Sequence, residues 1–223
     1  MPLHYREVLL SRANGKLTPG TWVGFDLAVG DVVAPGGRGI TEDFRIWNEG
    51  RQVGWLADAA TLPRLRQEAA TFRLSEESFV DTYGQFQGLT RVVFRQPGAG
   101  IQRTTAFWPY GLLKMPAEAP VEGYAAELVL PYATLPYPTG RDDFTGFFLR
   151  LRPTLGPDGQ VRSAHYAKIH GRMECGYGWV RFRYYYNPRT DDRRLVFATE
   201  RNLLRPAPAA RGPDAQGYDT FQR

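Results

Sequence analysis

At 223 residues, 43% hydrophobic and 13% aromatic, the chain has the composition of a packed core, which excludes a disordered protein, and its length requires no disulfide staple. Its net charge of +5 is carried almost wholly by arginine, since Lys16, Lys114 and Lys168 are the lysines, and no basic run forms a nucleic-acid-binding arm. Cys175 is the single cysteine, which excludes an intramolecular disulfide and a cysteine-based metal site, and no apolar run approaches the roughly 18 residues of a transmembrane segment.

The chain opens Met1-Pro2-Leu3-His4 without the apolar stretch of a secretory signal, so the expectation is a cytoplasmic protein unless a signal has been removed. Residues 5–11 read as a first strand before the turn signal Asn14-Gly15, and Thr21 to Leu27 as a second. After the loop Ala34-Pro35-Gly36-Gly37-Arg38-Gly39, Asp43 to Trp47 and Gln52 to Leu56 flank Asn48-Glu49-Gly50 as a hairpin. Asp58 to Ala70 is the one helix expected, with Pro63 near its start and Leu62, Leu65 and Ala69 along one side.

Beyond it the strand signal returns. Leu89 to Phe94 and Ile101 to Trp108 are joined by a Pro97-Gly98 turn, and Gly123 to Leu130 is a strand expected to stop at Pro131. Phe144 to Leu151, Val161 to Ile169, Trp179 to Tyr186 and Leu195 to Phe197 complete a mainly β chain. This pattern predicts an antiparallel β-sandwich, jelly-roll-like, over residues 1–204. Residues 205–223, beginning Arg205-Pro206-Ala207-Pro208-Ala209-Ala210, lack apolar periodicity and are expected to form an extended interaction arm, with Tyr218 and Phe221 as its contacts.

No residue pattern carries a catalytic or metal signature. His165 and His170 are five apart on a strand and so face opposite ways, which prevents them from chelating one ion. Glu76/Glu77, Asp142/Asp143 and Asp191/Asp192 are adjacent pairs, better suited to turns and helix caps than to acid–base couples. Asp142/Asp143 offers the one candidate for a structural calcium; no other cofactor is expected. The glycine loop around Gly37 lacks the Lys-Ser/Thr of a phosphate-binding loop.

Strand parity is more informative. It places Phe148, Arg150 and Arg152 on one face of their strand, and Trp179, Arg181, Arg183 and Tyr185 on one face of theirs. If the two strands share a sheet, four arginines framed by aromatic rings form a surface for an anionic partner, a sugar or another subunit.

The stretch Gly123-Tyr124-Ala125-Ala126-Glu127-Leu128-Val129-Leu130-Pro131-Tyr132-Ala133-Thr134-Leu135 resembles the Gly-Tyr-x-x-Glu-x-x-Ile-Pro-aromatic-x-x-Leu signature of family 9 carbohydrate-binding modules and related DOMON-like sandwiches, with Leu130 in place of the usual Ile. The resemblance covers about residues 80–152 and implies a sandwich in which the upstream aromatics, Trp108 and Tyr110, stack on sugar faces. Lys168-Ile169-His170-Gly171 loosely resembles a strand of jelly-roll alginate lyases, whose other active-site runs are absent here. The expectation drawn from the sequence is a non-enzymatic accessory or structural subunit, docking onto a larger protein assembly through a sandwich face and its C-terminal arm. A family-9-like glycan-binding module is the alternative. A lyase-like enzyme using His170 and Tyr166 comes third.

Overall fold

A computed structural model describes residues 3–105, 116–133 and 145–196. Strands β1 (His4–Ser11), β2 (Trp22–Asp26), β3 (Asp31–Val32) and β4 (Phe44–Trp55) lead into two helices, α1 (Leu62–Thr71) and α2 (Glu76–Tyr83). Then come β5 (Gly84–Val93), β6 (Gly100–Thr105), β7 (Glu127–Ala133), β8 (Thr145–Leu155), β9 (Val161–Ile169), β10 (Glu174–Gly176) and β11 (Trp179–Asn187). They form two antiparallel sheets. One runs β1-β11-β9-β8-β6, with β10 also pairing β11, and the other runs β3-β2-β4-β5-β7.

Period-two alternation explains why the sheets pack face to face. Val180, Phe182, Tyr184 and Tyr186 of β11 and Phe147, Leu149 and Leu151 of β8 point inward, against Phe25, Phe44, Ile46 and Val92 of the other sheet. Phe25 stacks on Phe44 at 5.7 Å and meets the edge of Phe182 at 5.5 Å, a direct aromatic tie between the layers. On the far side of the six-stranded sheet, Ala119, Phe148, Ala164, Tyr166 and Leu195 form a small second core, because the segments around 119 and 195 fold back over β8 and β9.

Two buried polar nodes join the sheets. At one end, the Arg152 side chain donates to Asp43 at 2.7 Å and 3.0 Å and to Asp26 at 2.9 Å. The Asp26 carboxylate also accepts from the backbone N–H groups of Ala28, Val29, Ile40 and Thr41. Toward the other end, the Asn48 amide donates to Thr90 Oγ1 at 2.8 Å and to the Gly176 carbonyl at 3.0 Å, and its oxygen accepts from the Gly178 N–H at 2.8 Å.

Several expectations are corrected here. The hairpin at Asn48-Glu49-Gly50 is instead one continuous strand, β4, paired with β5 along its length and irregular only between Gln52 and Gly54. Asn48 points into the core and spends its hydrogen-bonding capacity there, so it is not available as a turn residue. Pro131 does not end its strand: β7 is the last strand of its sheet, so the missing N–H of Pro131, opposite Leu89, is tolerated. A second helix, α2, follows the first, capped by Ser75, whose hydroxyl accepts from the Ser78 N–H at 3.1 Å.

The Arg152–Asp43–Asp26 node makes a direct prediction. Asp43 and Asp26 have side chains 0% and 2% exposed, against 26% for Arg152. Burial pushes the Asp43 carboxyl up, and Arg152 with the Leu27 N–H offsets only part of that. Burial opposes ionisation of Asp26 too, but the N–H groups around it and Arg152 outweigh it and hold the carboxyl low. Arg152→Leu leaves both acids buried without their cation, so it should cost about 3–5 kcal/mol in urea unfolding. A loss below about 1 kcal/mol would show that the node contributes little.

Candidate functional site

β8 and β11 do share a sheet, separated by β9, so the parity argument can be followed strand by strand. One row of outward side chains runs across four strands as Phe148, Lys168, Tyr185 and Tyr5. The next rows pair Arg183 with Glu7, Arg181 with Leu9, and Trp179 with Ser11. Glu7 sits between two of the arginines, accepting from Arg181 at 2.8 Å and from Arg183 at 3.2 Å. Leu9 is 52% exposed and Trp179 36% exposed.

The four expected arginines do not gather on this face. Arg150 turns toward the second core, where its guanidinium lies 4.6 Å from the Tyr124 ring and donates to the carbonyls of Gly98 and Val121. Arg152 belongs to the buried node. The pairing of β8 with β9 shifts between Leu151 and Thr154, and Arg152 has a φ of 48°, so the strand's alternation is interrupted at that residue. Tyr185 and Trp179 flank Arg183 and Arg181 as expected. Trp108 and Tyr110, the candidate sugar-stacking residues, and Asp142/Asp143 lie outside the described residues, as does the 205–223 arm.

The signature that resembles carbohydrate-binding modules has clear packing roles. Gly123 takes a φ of 86°, Tyr124 donates to the Pro120 carbonyl at 2.8 Å, and Glu127 accepts from Arg91 across the strand pair at 2.6 Å. Tyr166 is buried in the second core, whereas His170 lies just past the end of β9, edge-on to Tyr185 at 6.2 Å. Four residues of strand put them about 13 Å apart, too far to act on one atom.

Sequence reasoning missed a groove between the sheets. An open groove of about 1360 Å³ lies where the β4-β5-β7 sheet faces β10 and the end of β1. Gly50, Gly88 and Tyr132 are in register across three strands, and the hydroxyl end of Tyr132 reaches over both glycines. A Cβ on either glycine would collide with the Tyr132 hydroxyl, which donates to the Glu49 carbonyl at 2.8 Å. Opposite, Tyr177 stacks on Phe86 at 4.5 Å and 6°, with the Arg12 guanidinium 5.5 Å from its ring. Asn48 holds the Gly176 and Gly178 backbone, so this wall is fixed to the facing sheet. Cys175 lines the groove with its thiol pushed up to about 11 by burial, which makes it an inert neighbour and not a nucleophile. The glycine pairing was the available signal, but it needs the strand register to be read.

Lys168, on the outer row, is 8% exposed; among the described residues it meets the Tyr185 ring at 5.2 Å and no carboxylate. Burial alone lowers its pKa to about 8. In the unfolded chain the amine keeps its ordinary, higher value, so between these two values the unfolded state binds more protons and stability rises with pH. Lys168→Met should therefore stabilise the protein at pH 7 by about 1–3 kcal/mol. That advantage should shrink as pH climbs from about 8 toward the ordinary lysine value. Thermal melts of both proteins across this range check the sign; a gain independent of pH would assign it to packing alone.

No protein-family model, curated protein or solved structure matches the chain.

Proposed function

We propose that the protein is a non-enzymatic accessory or structural subunit that docks onto a larger protein assembly. The contact is the outer face of its six-stranded sheet over β1 and β11, with the 205–223 arm as a second attachment. The observation that carries this reading is the unequal cover of that face. The chain's own second core shields Phe148, Ala164 and Tyr166 on β8 and β9, whereas Leu9 and Trp179 stay exposed beside Arg181, Glu7 and Arg183. Aromatic and arginine side chains around an apolar centre are the composition of interface hot spots. The Glu7 carboxylate fixes both guanidinium groups in place, so little side-chain entropy remains to be lost on docking.

The test is native affinity purification with intact-mass measurement, comparing wild type with Leu9→Arg, Arg183→Glu and a chain lacking 205–223. Leu9→Arg is at a solvent-facing position and should alter stability by no more than about 0.5 kcal/mol, whereas Arg183→Glu also breaks the pair with Glu7 and sets two carboxylates opposite each other, at a cost of about 1 kcal/mol. Each should reduce recovery of the stoichiometric partner about tenfold or more, and removal of the arm should lower occupancy without lowering the melting temperature. Unchanged recovery with both face variants, or a wild-type protein recovered only as a lone monomer, overturns the docking reading.

A further inference from the structure

The inner side of β1 ends on a cluster of basic side chains that neither the outer face nor the groove uses. β1 is an edge strand, paired with β11 along one side. The backbone groups of Leu9 and Ser11 go to the Asn14 turn, so His4, Arg6, Val8 and Leu10 are the β1 residues whose amides face β11. At the end of this ladder His4 lies opposite Tyr186, with ring centroids 5.4 Å apart. His165 of β9 stacks on the same tyrosine at 5.8 Å, and the Arg152 guanidinium lies 5.9 Å from its ring. Tyr186 is 2% exposed, so three basic side chains surround one buried ring. We propose that His4 is an acid-sensitive latch: in its neutral form it closes the N-terminal end of β1 onto β11, and its protonation releases that end.

Among the described residues, His4 Nδ1 and His165 Nδ1 are buried without a hydrogen-bond partner, and His165 Nε2 lies 3.4 Å from Thr190 Oγ1. A neutral imidazole tolerates this, because one of its nitrogens carries a lone pair and no proton. An imidazolium has two N–H donors, so at His4 the new donor would be buried with no acceptor, around a ring already shared with Arg152.

The charges nearby supply no counter-ion. Arg6, the next inward residue of β1, is itself a cation, while Asp26 of β2 and Asp43 of β4 are engaged by Arg152. Asp191, beyond β11, accepts from the Ala164 N–H, and burial keeps the hydroxyls of Tyr184 and Tyr186 protonated. Burial accordingly holds His4 below its ordinary value of 6.5, offset in part by the Ala28 backbone. In the opened strand the ring recovers that value, so below it the open form binds the extra proton and the latch weakens as pH falls. Asp43 has the opposite sign: burial raises its carboxyl, so the closed form takes that proton first and gains from it. Asp26 is held low, so its contribution is lost only below the ordinary carboxylate range. A loosening that begins near pH 6.5 therefore has its source in histidine and not in the carboxylates of the node. Glu7 and Leu9 lie on the same strand, but the latch is measured on the isolated protein and does not rest on the docking reading.

Amide hydrogen exchange of the full chain, followed by NMR from about pH 7.5 to about pH 5 and corrected for the intrinsic rate, tests this. Protection of the Arg6 amide should fall about tenfold per pH unit below about 6.5, the signature of one proton per opening, while amides of the central strand β9 hold steady. The His4 ring itself should titrate below 6.5. His4→Phe keeps a ring against Tyr186 but takes no proton, so it should abolish the pH step, and His4→Leu repeats the test without the ring. His165→Gln should leave the step in place. A His4 ring that titrates at or above 6.5 overturns the proposal whatever the variants do. So does a pH-independent Arg6 amide, a step that survives both His4 variants, a step lost in His165→Gln alone, or a uniform loss of protection across the sheet.

Discussion

The contact between Arg152 and the carboxylates of Asp26 and Asp43 spans 126 and 109 residues of sequence and joins the two sheets where hydrophobic packing alone would leave their relative position loosely defined. An apolar interface tolerates sliding; a bidentate ion pair between buried groups does not. Such a node is weak evidence for high stability, because desolvating three charges offsets much of their attraction. Its contribution is positional. Asp26 hangs two loops on one carboxylate through four backbone N–H groups, and Tyr184 adds a hydroxyl bond to the Leu27 carbonyl at 2.8 Å. With β2, β4 and β8 joined there, the inner faces of the two sheets are in fixed register along the rest of the sandwich.

Asn48 does similar work toward the opposite end with uncharged groups. Both its amide donors and its oxygen find partners, with two donated bonds and one accepted, which is the condition under which a buried polar residue is tolerated. Beyond it, among the described residues, an open groove separates the sheets. Glycines at Gly50 and Gly88 let Tyr132 lie against the backbone, so the inner face stays low and a groove forms where larger residues would have closed the core. The concavity is therefore a product of register: two glycines side by side on neighbouring strands, with the Tyr132 hydroxyl reaching across them.

How much of this could be read in advance follows from which residues obey local rules. The alternation in β9 and β11 was legible because both strands run without interruption, and Arg181, Arg183, Trp179 and Tyr185 lie where period two puts them. It failed at Arg152, because the positive φ and register shift there have no marker such as glycine in the sequence. Asn48-Glu49-Gly50 has strong turn chemistry, yet a core position for Asn48 and the Tyr132 hydroxyl over Gly50 overrode it. Pro131 misled for a related reason: whether a proline ends a strand depends on its place in the sheet, and that is not a local property. The groove was invisible because Gly50, Gly88 and Tyr132 are brought together only by pairing of β4, β5 and β7.

The groove and the outer face meet at β10 and the start of β11. Trp179 lies over Gly176 at the groove and is also the exposed aromatic of the outer face. Glu174, on the groove lining, stands 3.9 Å from Arg181, which is already engaged by Glu7 at 2.8 Å. Glu174 and Trp179 therefore join the rim of the groove to the Glu7–Arg181–Arg183 network through the pairing of β10 with β11. Surface ion pairs of this kind are worth at most about 1 kcal/mol, so the two surfaces can influence each other by a few-fold and no more.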